Sequence, residues 1–228
     1  MLKSAPETHA FKDNIYEQFA RVGKAVASPR RLEILDLLCQ GEKTVEEVAA
    51  YSRLDIKNAS AHLKVLRSAR LLDSRRDGKN VLYRLADPAV GRFWLSLRSL
   101  AERRLTEIRH AVEDYFTKAP DMEPLDRKTL LTKARRGDVI VLDVRPKDEF
   151  ATGHLPYAHS LPLAELKHKL ATLPRRKEIV AYCRGPYCVL SHEAVELLRR
   201  RGFHATRLDD GVLEWAAAGM PVLRTAAT

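Results

Sequence analysis

Ile179-Val-Ala-Tyr-Cys183-Arg-Gly-Pro-Tyr-Cys188-Val-Leu190 passes from strand to helix through a loop that carries two thiols. The apolar, β-branched run from Ile179 to Tyr182 predicts a buried strand that ends at Cys183. Gly185 and Pro186 cannot propagate that strand, so Arg184 to Tyr187 form a tight loop. From Leu190 the period changes: Leu190, Ala194, Leu197 and Leu198 share one helical face. A thiol between a strand end and a helix start meets backbone N–H groups and the positive end of the helix dipole. Both favour a thiolate. This is the setting of a nucleophilic cysteine.

The flanking sequence continues the alternation. Val139 to Leu142 and Ala205 to Leu208 are further strands; Lys147 to Ala151, Leu163 to Leu173, Leu190 to Arg200 and Val212 to Ala218 are helical. Strands alternating with helices predict an α/β domain with a parallel sheet. Ligands of such sheets lie outside the carboxyl ends of strands, which is where Cys183 falls. Upstream, Ala119-Pro120-Asp-Met-Glu-Pro124 has two prolines and no periodicity, so residues 119–125 are expected to link residues 1–118 to residues 126–228.

Residues 1–118 are helical with one exception. Phe11, Ile15, Phe19, Val22 and Val26 mark an amphipathic first helix. Ser28-Pro29 opens a second, with Leu32, Leu35 and Leu38 inward and an end near Gly41. Thr44-Val-Glu-Glu47 is a capping box for a short helix through Ala50, and Asp55 caps another from Ile56 to about Leu71. Two short helices joined by Tyr51 to Asp55 have the shape of a helix-turn-helix. With Ala59, Leu63 and Leu66 turned to the core, Lys57, Asn58, Ser60, Ala61 and Lys64 project outward from the second, where a recognition helix meets base edges. Asp77-Gly78 between two β-favouring runs then predicts a hairpin. Arg75, Arg76 and Lys79 crowd its tip, as in a wing that reaches phosphates.

Composition agrees with a DNA partner without locating it. The chain carries net charge +10, divided as +6 up to Pro120 and +4 beyond, so the excess is shared. Hydrophobic content of 45% with 31% charged residues describes a globular protein, and no apolar run is long enough to span a bilayer. The N-terminus lacks the apolar core of a signal peptide, so a cytoplasmic, non-membrane protein is expected. Three cysteines in such a compartment argue against a disulfide scaffold. Cys39 ends an apolar helix and reads as packed.

Ser60-Ala-His62-Leu63-Lys64-Val65-Leu66, followed by Gly78-Lys-Asn-Val-Leu-Tyr83-Arg84-Leu85, resembles the ArsR family of winged-helix transcriptional regulators over about residues 10–116. The resemblance implies a homodimer that binds double-stranded operator DNA and releases it on a chemical signal. Trp94, Leu97, Ala101, Leu105, Ile108, Val112 and Tyr115 repeat at three and four residues along a long helix, 92–117. With the N-terminal helix, that stripe is the expected dimer interface. His62 is read as structural. A metal sensor is disfavoured: Ile56 to Leu72 has no cysteine, and His110 with Glu113 lacks a second pair. Neither metal nor cofactor is expected.

The C-terminal part resembles the rhodanese family of sulfurtransferase domains. The matching pieces are Leu142-Asp143-Val-Arg145-Pro, Glu149-Phe150, Gly153-His154, Ala158 through Pro162, Tyr182-Cys183-Arg184, Asp210-Gly211 to Trp215, and Gly219-Met-Pro221-Val222. By that likeness Cys183 carries a persulfide, the loop amides between Arg184 and Val189 cradle the anionic sulfur, and Arg184 adds a charged contact. Asp143 and Arg145 are scaffold. The common loop of the family is Cys-Arg-x-Gly-x-Arg; here Gly185 comes early, Pro186 and Tyr187 follow, and Cys188 stands where the second arginine would be. Cys188 either resolves a Cys183 persulfide or sulfenate into an internal bridge, or packs against the helix.

The fold expected is therefore a mainly α winged helix-turn-helix followed by an α/β rhodanese-like domain. The function expected is a DNA-binding regulator that senses or transfers reactive sulfur through Cys183, from a persulfide, polysulfide or thiosulfate donor. The alternative is an active sulfurtransferase with an accessory DNA-binding domain. A third possibility is an inert rhodanese fold used as an interaction module.

Overall fold

The structure is a computed structural model that describes residues 5–116 and 126–225. The expected linker 119–125 lies outside the described residues. The chain divides into two compact units, Met1–Trp94 and Leu95–Thr228, with the division inside one helix.

The first unit holds helices α1 (Ala5–Val26), α2 (Pro29–Leu38), α3 (Val45–Tyr51) and α4 (Ile56–Ser68), strands β1 (Lys43–Thr44), β2 (Leu72–Asp77) and β3 (Asn80–Leu85), and the start of α5 (Pro88–Arg104). The capping box forms in full: Thr44 Oγ1 accepts from Glu47 N at 3.2 Å and Glu47 Oε2 accepts from Thr44 N at 2.7 Å. Asp55 Oδ1 accepts from Asn58 N, which fixes the start of α4. Ser28 holds the N-cap position of α2 but makes no side-chain capping bond. Ile34, Leu35, Leu37, Val48, Ala59, Leu63, Leu66 and Leu72 close over one core, so α4 turns Ala59, Leu63 and Leu66 inward as its period requires. The antiparallel sheet runs β1-β3-β2, with Asp77 paired to Asn80 across the two-residue loop Gly78-Lys79. Gly78 takes φ +58°, a backbone conformation that glycine reaches without cost.

In α1 the core takes Ala25 and Val26, with Val22 packed against it, whereas Phe11, Ile15 and Phe19 are 62%, 39% and 65% exposed. The stripe outruns what the core of this unit can cover. The expectation of one unbroken helix over 92–117 is corrected: α5 ends at Arg104, Leu105 is extended at φ −112°, ψ 102°, and α6 (Thr106–Tyr115) starts anew. A three-and-four repeat is the same on either side of one extended residue, so periodicity cannot register the break.

The second unit adds α7 (Arg127–Arg136), α8 (Lys147–Thr152), α9 (Leu163–Lys169), α10 (Val189–Arg200) and α11 (Val212–Ala217), with strands β4 (Val139–Asp143), β5 (Ala158–Ser160), β6 (Glu178–Tyr182) and β7 (Ala205–Arg207). The four strands are parallel in the order β5-β4-β6-β7. Strand alternation sorts the core: Ile179 and Ala181 face a cluster with Leu166, Ala194 and Leu198, while Val180 and Tyr182 face Leu130, Leu155 and Trp215. Both faces of β6 are thus covered, as expected for a parallel sheet. The strand delivers Cys183 to its carboxyl end at 1% exposure.

Candidate functional site

Below the loop, a buried polar network fixes where β6 ends. Arg145 donates to Asp143 Oδ1 from N (3.0 Å) and Nε (2.9 Å), and from Nη2 to Asp143 Oδ2 (2.6 Å) and to Gly153 O (2.7 Å). Tyr182 Oη donates to Asp143 Oδ2 at 2.5 Å and accepts from Leu155 N at 3.2 Å. Burial, then the adjacent Asp143 charge, pushes the Tyr182 phenol well above its usual range, so it stays a donor. Asp143 and Arg145 are scaffold, as the motif implied. Their bonds hold the residue next to the nucleophile.

Cys183 and Cys188 are joined in a disulfide, with their Cα atoms 6.1 Å apart. Of the two sequence alternatives for Cys188, the bridge is the one the structure adopts. Cys183 is buried beneath the loop, while Cys188 is half-buried at the N-cap of α10. The loop between them turns on itself: Cys188 N donates to Gly185 O at 3.1 Å, so that amide serves the turn and not a sulfur cradle. Gly185 has φ +155°, and an added Cβ would stand 3.2 Å from Glu214 Oε1. Gly211 passes so close that its Cβ would sit 2.2 Å from Arg184 O and 2.8 Å from Gly185 N. Only glycine fits there.

Arg184 pairs with a scaffold carboxylate. Its Nε and Nη2 donate to Glu149 Oε2 and Oε1 at 2.9 and 2.7 Å, a two-bond fork that buries both side chains. Two of the guanidinium N–H groups are thus held by the scaffold carboxylate of Glu149. Glu149 was legible as a family motif residue, but its partner lies 35 residues away and no spacing rule pairs them.

Pro186 and Tyr187 form the outer part of the loop. Pro186 O accepts from Arg207 Nη1 at 3.4 Å. Tyr187 Oη donates to Glu102 Oε1 at 2.5 Å, and the Arg98 guanidinium lies 5.9 Å from its ring centre. Burial and then the Glu102 hydrogen bond push this phenol up, well above an ordinary tyrosine. Arg98 Nη2 reaches Glu214 Oε1 at 2.5 Å, and Glu214 Oε2 accepts from Gly211 N at 2.8 Å. Arg98, Glu102 and Glu214 escaped the sequence reading, because charged residues scattered over 116 positions carry no periodic signal. Val189 is the first residue of α10.

The second candidate surface is the winged helix. Lys57, Asn58, Ser60, Ala61 and Lys64 are all exposed on α4. Asn58 Nδ2 turns back to Asp55 Oδ2 at 2.7 Å, which commits one of its donors to the helix start. Arg76 and Lys79 are exposed at the hairpin end. Arg75 is not equivalent to them: its Nε and Nη2 lie 2.8 and 2.6 Å from Glu42 Oε2, and Arg84 approaches the same carboxylate at 3.6 Å. Among the described residues no group of three or more His, Cys, Asp or Glu side chains is disposed to hold a metal ion, and no helix is long and apolar enough to cross a membrane.

Comparison with known proteins assigns the two halves separately and the whole together. Residues 28–74 match the arsR family of bacterial regulatory proteins, and residues 126–218 match the rhodanese-like domain. The HTH-type transcriptional regulator Rv0324 of Mycobacterium tuberculosis is 43% identical over 211 residues, 92% of this chain and 92% of that protein. A sulfurtransferase of Allochromatium vinosum is 29% identical over 104 residues, 45% of this chain and 92% of its own length. The homodimeric winged helix-turn-helix DNA-binding domain of Mb0332 from Mycobacterium bovis, a possible ArsR-family regulator, is 40% identical with a TM-score of 0.41, covering 46% of this chain and 94% of that fragment.

Proposed function

The chain belongs to the ArsR family of bacterial transcriptional regulators and carries a rhodanese-like domain; from that premise we propose that it is a sulfur-responsive regulator whose signal is written at Cys183 and Cys188. The observation that carries the proposal is the bridge itself. Two thiols five residues apart close a loop at the carboxyl end of a parallel strand, in a protein whose other half is a winged helix. In the cytoplasm, where such a regulator would work, thiols are kept reduced, so a bridge formed there is a response and not a staple.

The chemistry balances with an external sulfur donor. The Cys183 thiolate attacks the outer sulfur of a persulfide R–S–SH, giving Cys183–S–SH and releasing R–S⁻. The Cys188 thiolate then attacks Cys183 Sγ, the bridge forms, and the outer sulfur leaves as hydrosulfide. Cys188 at the start of a 12-residue helix suits the second step, since the helix dipole favours the attacking thiolate. Exposed Lys57, Ser60, Lys64, Arg76 and Lys79 support operator contact through α4 and the wing. The uncovered Phe11, Ile15 and Phe19 of α1 support a homodimer formed through this helix, and Leu105 and Tyr115 of the α5–α6 stripe are also exposed.

A mobility-shift titration of wild type and Cys183→Ser, with and without polysulfide, tests this. Polysulfide should shift the operator affinity of wild type and leave the variant unmoved; identical responses from both would sink the proposal. Steady sulfurtransferase turnover is the second reading, favoured by the buried nucleophile at the strand end. With Arg184 bound to Glu149 and Cys188 in place of a second arginine, the loop offers a dianionic donor little charge. Multiple turnovers with thiosulfate that vanish in Cys183→Ser would favour the enzyme.

A further inference from the structure

We propose that Tyr187, Glu102 and Arg98 form a latch through which the Cys183–Cys188 pair acts on helix α5. This deepens the sulfur-sensing reading and rests on it. Tyr187 stands beside Cys188, inside the six-residue segment that the bridge closes. Its phenol points out of that segment and donates to Glu102 Oε1 at 2.5 Å. Arg98, one turn earlier on the same helix, reaches Glu102 at 3.3 Å and covers the Tyr187 ring. It also reaches Glu214 at 2.5 Å, with side chains only 11% and 10% exposed. Glu214 binds Gly211 N and packs over Gly185, the other loop residue that the bridge constrains. Two points of one loop therefore converge on two neighbouring side chains of one helix.

That helix is the element suited to carry a signal. It is continuous from Pro88 to Arg104, and its first turns belong to the winged-helix unit, where Trp94 Nε1 donates to Asp36 Oδ1 of α2 at 2.8 Å. A phenylalanine at 187 would fill the same space, and the hydroxyl is what reaches Glu102. When a dithiol such as dithiothreitol delivers two electrons and two protons, the Sγ–Sγ bond breaks, two thiols form and the reagent becomes its cyclic disulfide. The loop ends are then no longer tied, Tyr187 loses its fixed seat, and the Glu102 contact is released.

The test is hydrogen exchange on the full chain, oxidised and after dithiothreitol, with the bridge followed by the loss or gain of two hydrogens in the intact mass. In wild type, opening the bridge should speed exchange of the 98–104 amides about tenfold, the loss expected for one hydrogen bond to a charged group. In Tyr187→Phe those amides should exchange fast in both states while the bridge still forms; Glu102→Gln, which keeps the volume and a weaker acceptor, should fall between. Equal protection in both states of wild type, or a Tyr187→Phe profile matching wild type, would overturn the latch. Operator affinity in the same two states separates the two levels of inference. If affinity responds and the helix does not, the latch fails and the sensor stands. If the helix responds and affinity does not, the sensor fails and the latch stands.

Discussion

Glu149→Gln would unbalance the fork that holds Arg184, and the structure sets the size of the effect. The two N···O distances are 2.7 and 2.9 Å, with the Arg184 side chain 10% and the Glu149 side chain 1% exposed. Removing one partner of a buried pair costs about 3–5 kcal/mol, mostly from the charge left behind. Glutamine keeps one acceptor but sets an NH₂ against a guanidinium N–H, so about 3 kcal/mol is expected, the low end of that range. The amides of Ile179 to Tyr182 lie in a central strand covered on both faces and report opening of the whole sheet. At 1.4 kcal/mol per tenfold, their exchange should accelerate roughly 100-fold. Glu149→Leu combined with Arg184→Met removes both charges and should recover at least about half of the loss. An acceleration below about threefold would refute the anchoring role of this pair. Alkylation of Cys183 in the reduced protein gives a second check. If Arg184 served a sulfur anion, freeing it in Glu149→Gln would speed the reaction; an anchor predicts no gain.

Three further outcomes follow from single contacts. Gly211→Ala places a methyl 2.2 Å from Arg184 O and should cost about 1–3 kcal/mol, lowering the melting temperature of the reduced protein by several degrees; an unchanged melt would contradict the close approach. Arg76→Ala and Lys79→Ala should each reduce the salt slope of operator binding by about one, while Arg75→Ala, whose guanidinium is held by Glu42, should change it by about half or less; three equal slopes from fluorescence anisotropy would reject that division. The Tyr187 phenol is raised in the folded state, so its contribution is full below the ordinary tyrosine value of 10 and is lost only as pH climbs past it. Ultraviolet titration should therefore show two late tyrosines in wild type, Tyr182 and Tyr187, and one in Tyr187→Phe; two late tyrosines in the variant would refute the assignment.

What the sequence made legible was local. The change from a continuous apolar run to a helical period across Cys183 gave the strand, loop and helix, and Thr44 with Glu47 gave a capping box that forms bond for bond. Helix α7 was missed because Leu130, Leu131 and Ala134 are few among its charged residues; Asp126 at its N-cap and Gly137 at φ +73° were the available signals. Partnerships between distant charged side chains were not legible at all. Arg184 with Glu149, Arg98 with Glu214 and Tyr187 with Glu102 join residues 35, 116 and 85 positions apart. Nor does an apolar period say what covers it: of the α1 stripe, Val22 and Val26 pack on the core while Phe11, Ile15 and Phe19 stay exposed.

The replacement of the second loop arginine by Cys188 changes what the rhodanese scaffold can do in a regulator. In the proposed chemistry an arginine there would hold an anionic donor for repeated turnover, whereas a thiol would end the reaction at one event, because the bridge would consume the persulfide that formed it. A single stored event is what a switch needs, provided the two states differ in free energy at the output. One hydrogen bond to a carboxylate is worth about 1.5–3 kcal/mol when buried, and Tyr187 and Glu102 are partly solvated, so the lower figure applies. If all of it were carried along α5, operator affinity would change about tenfold, within the range that allosteric couplings span. A much larger response would require a second route, and the Arg98–Glu214 pair, buried over Gly185, is the contact placed to supply it.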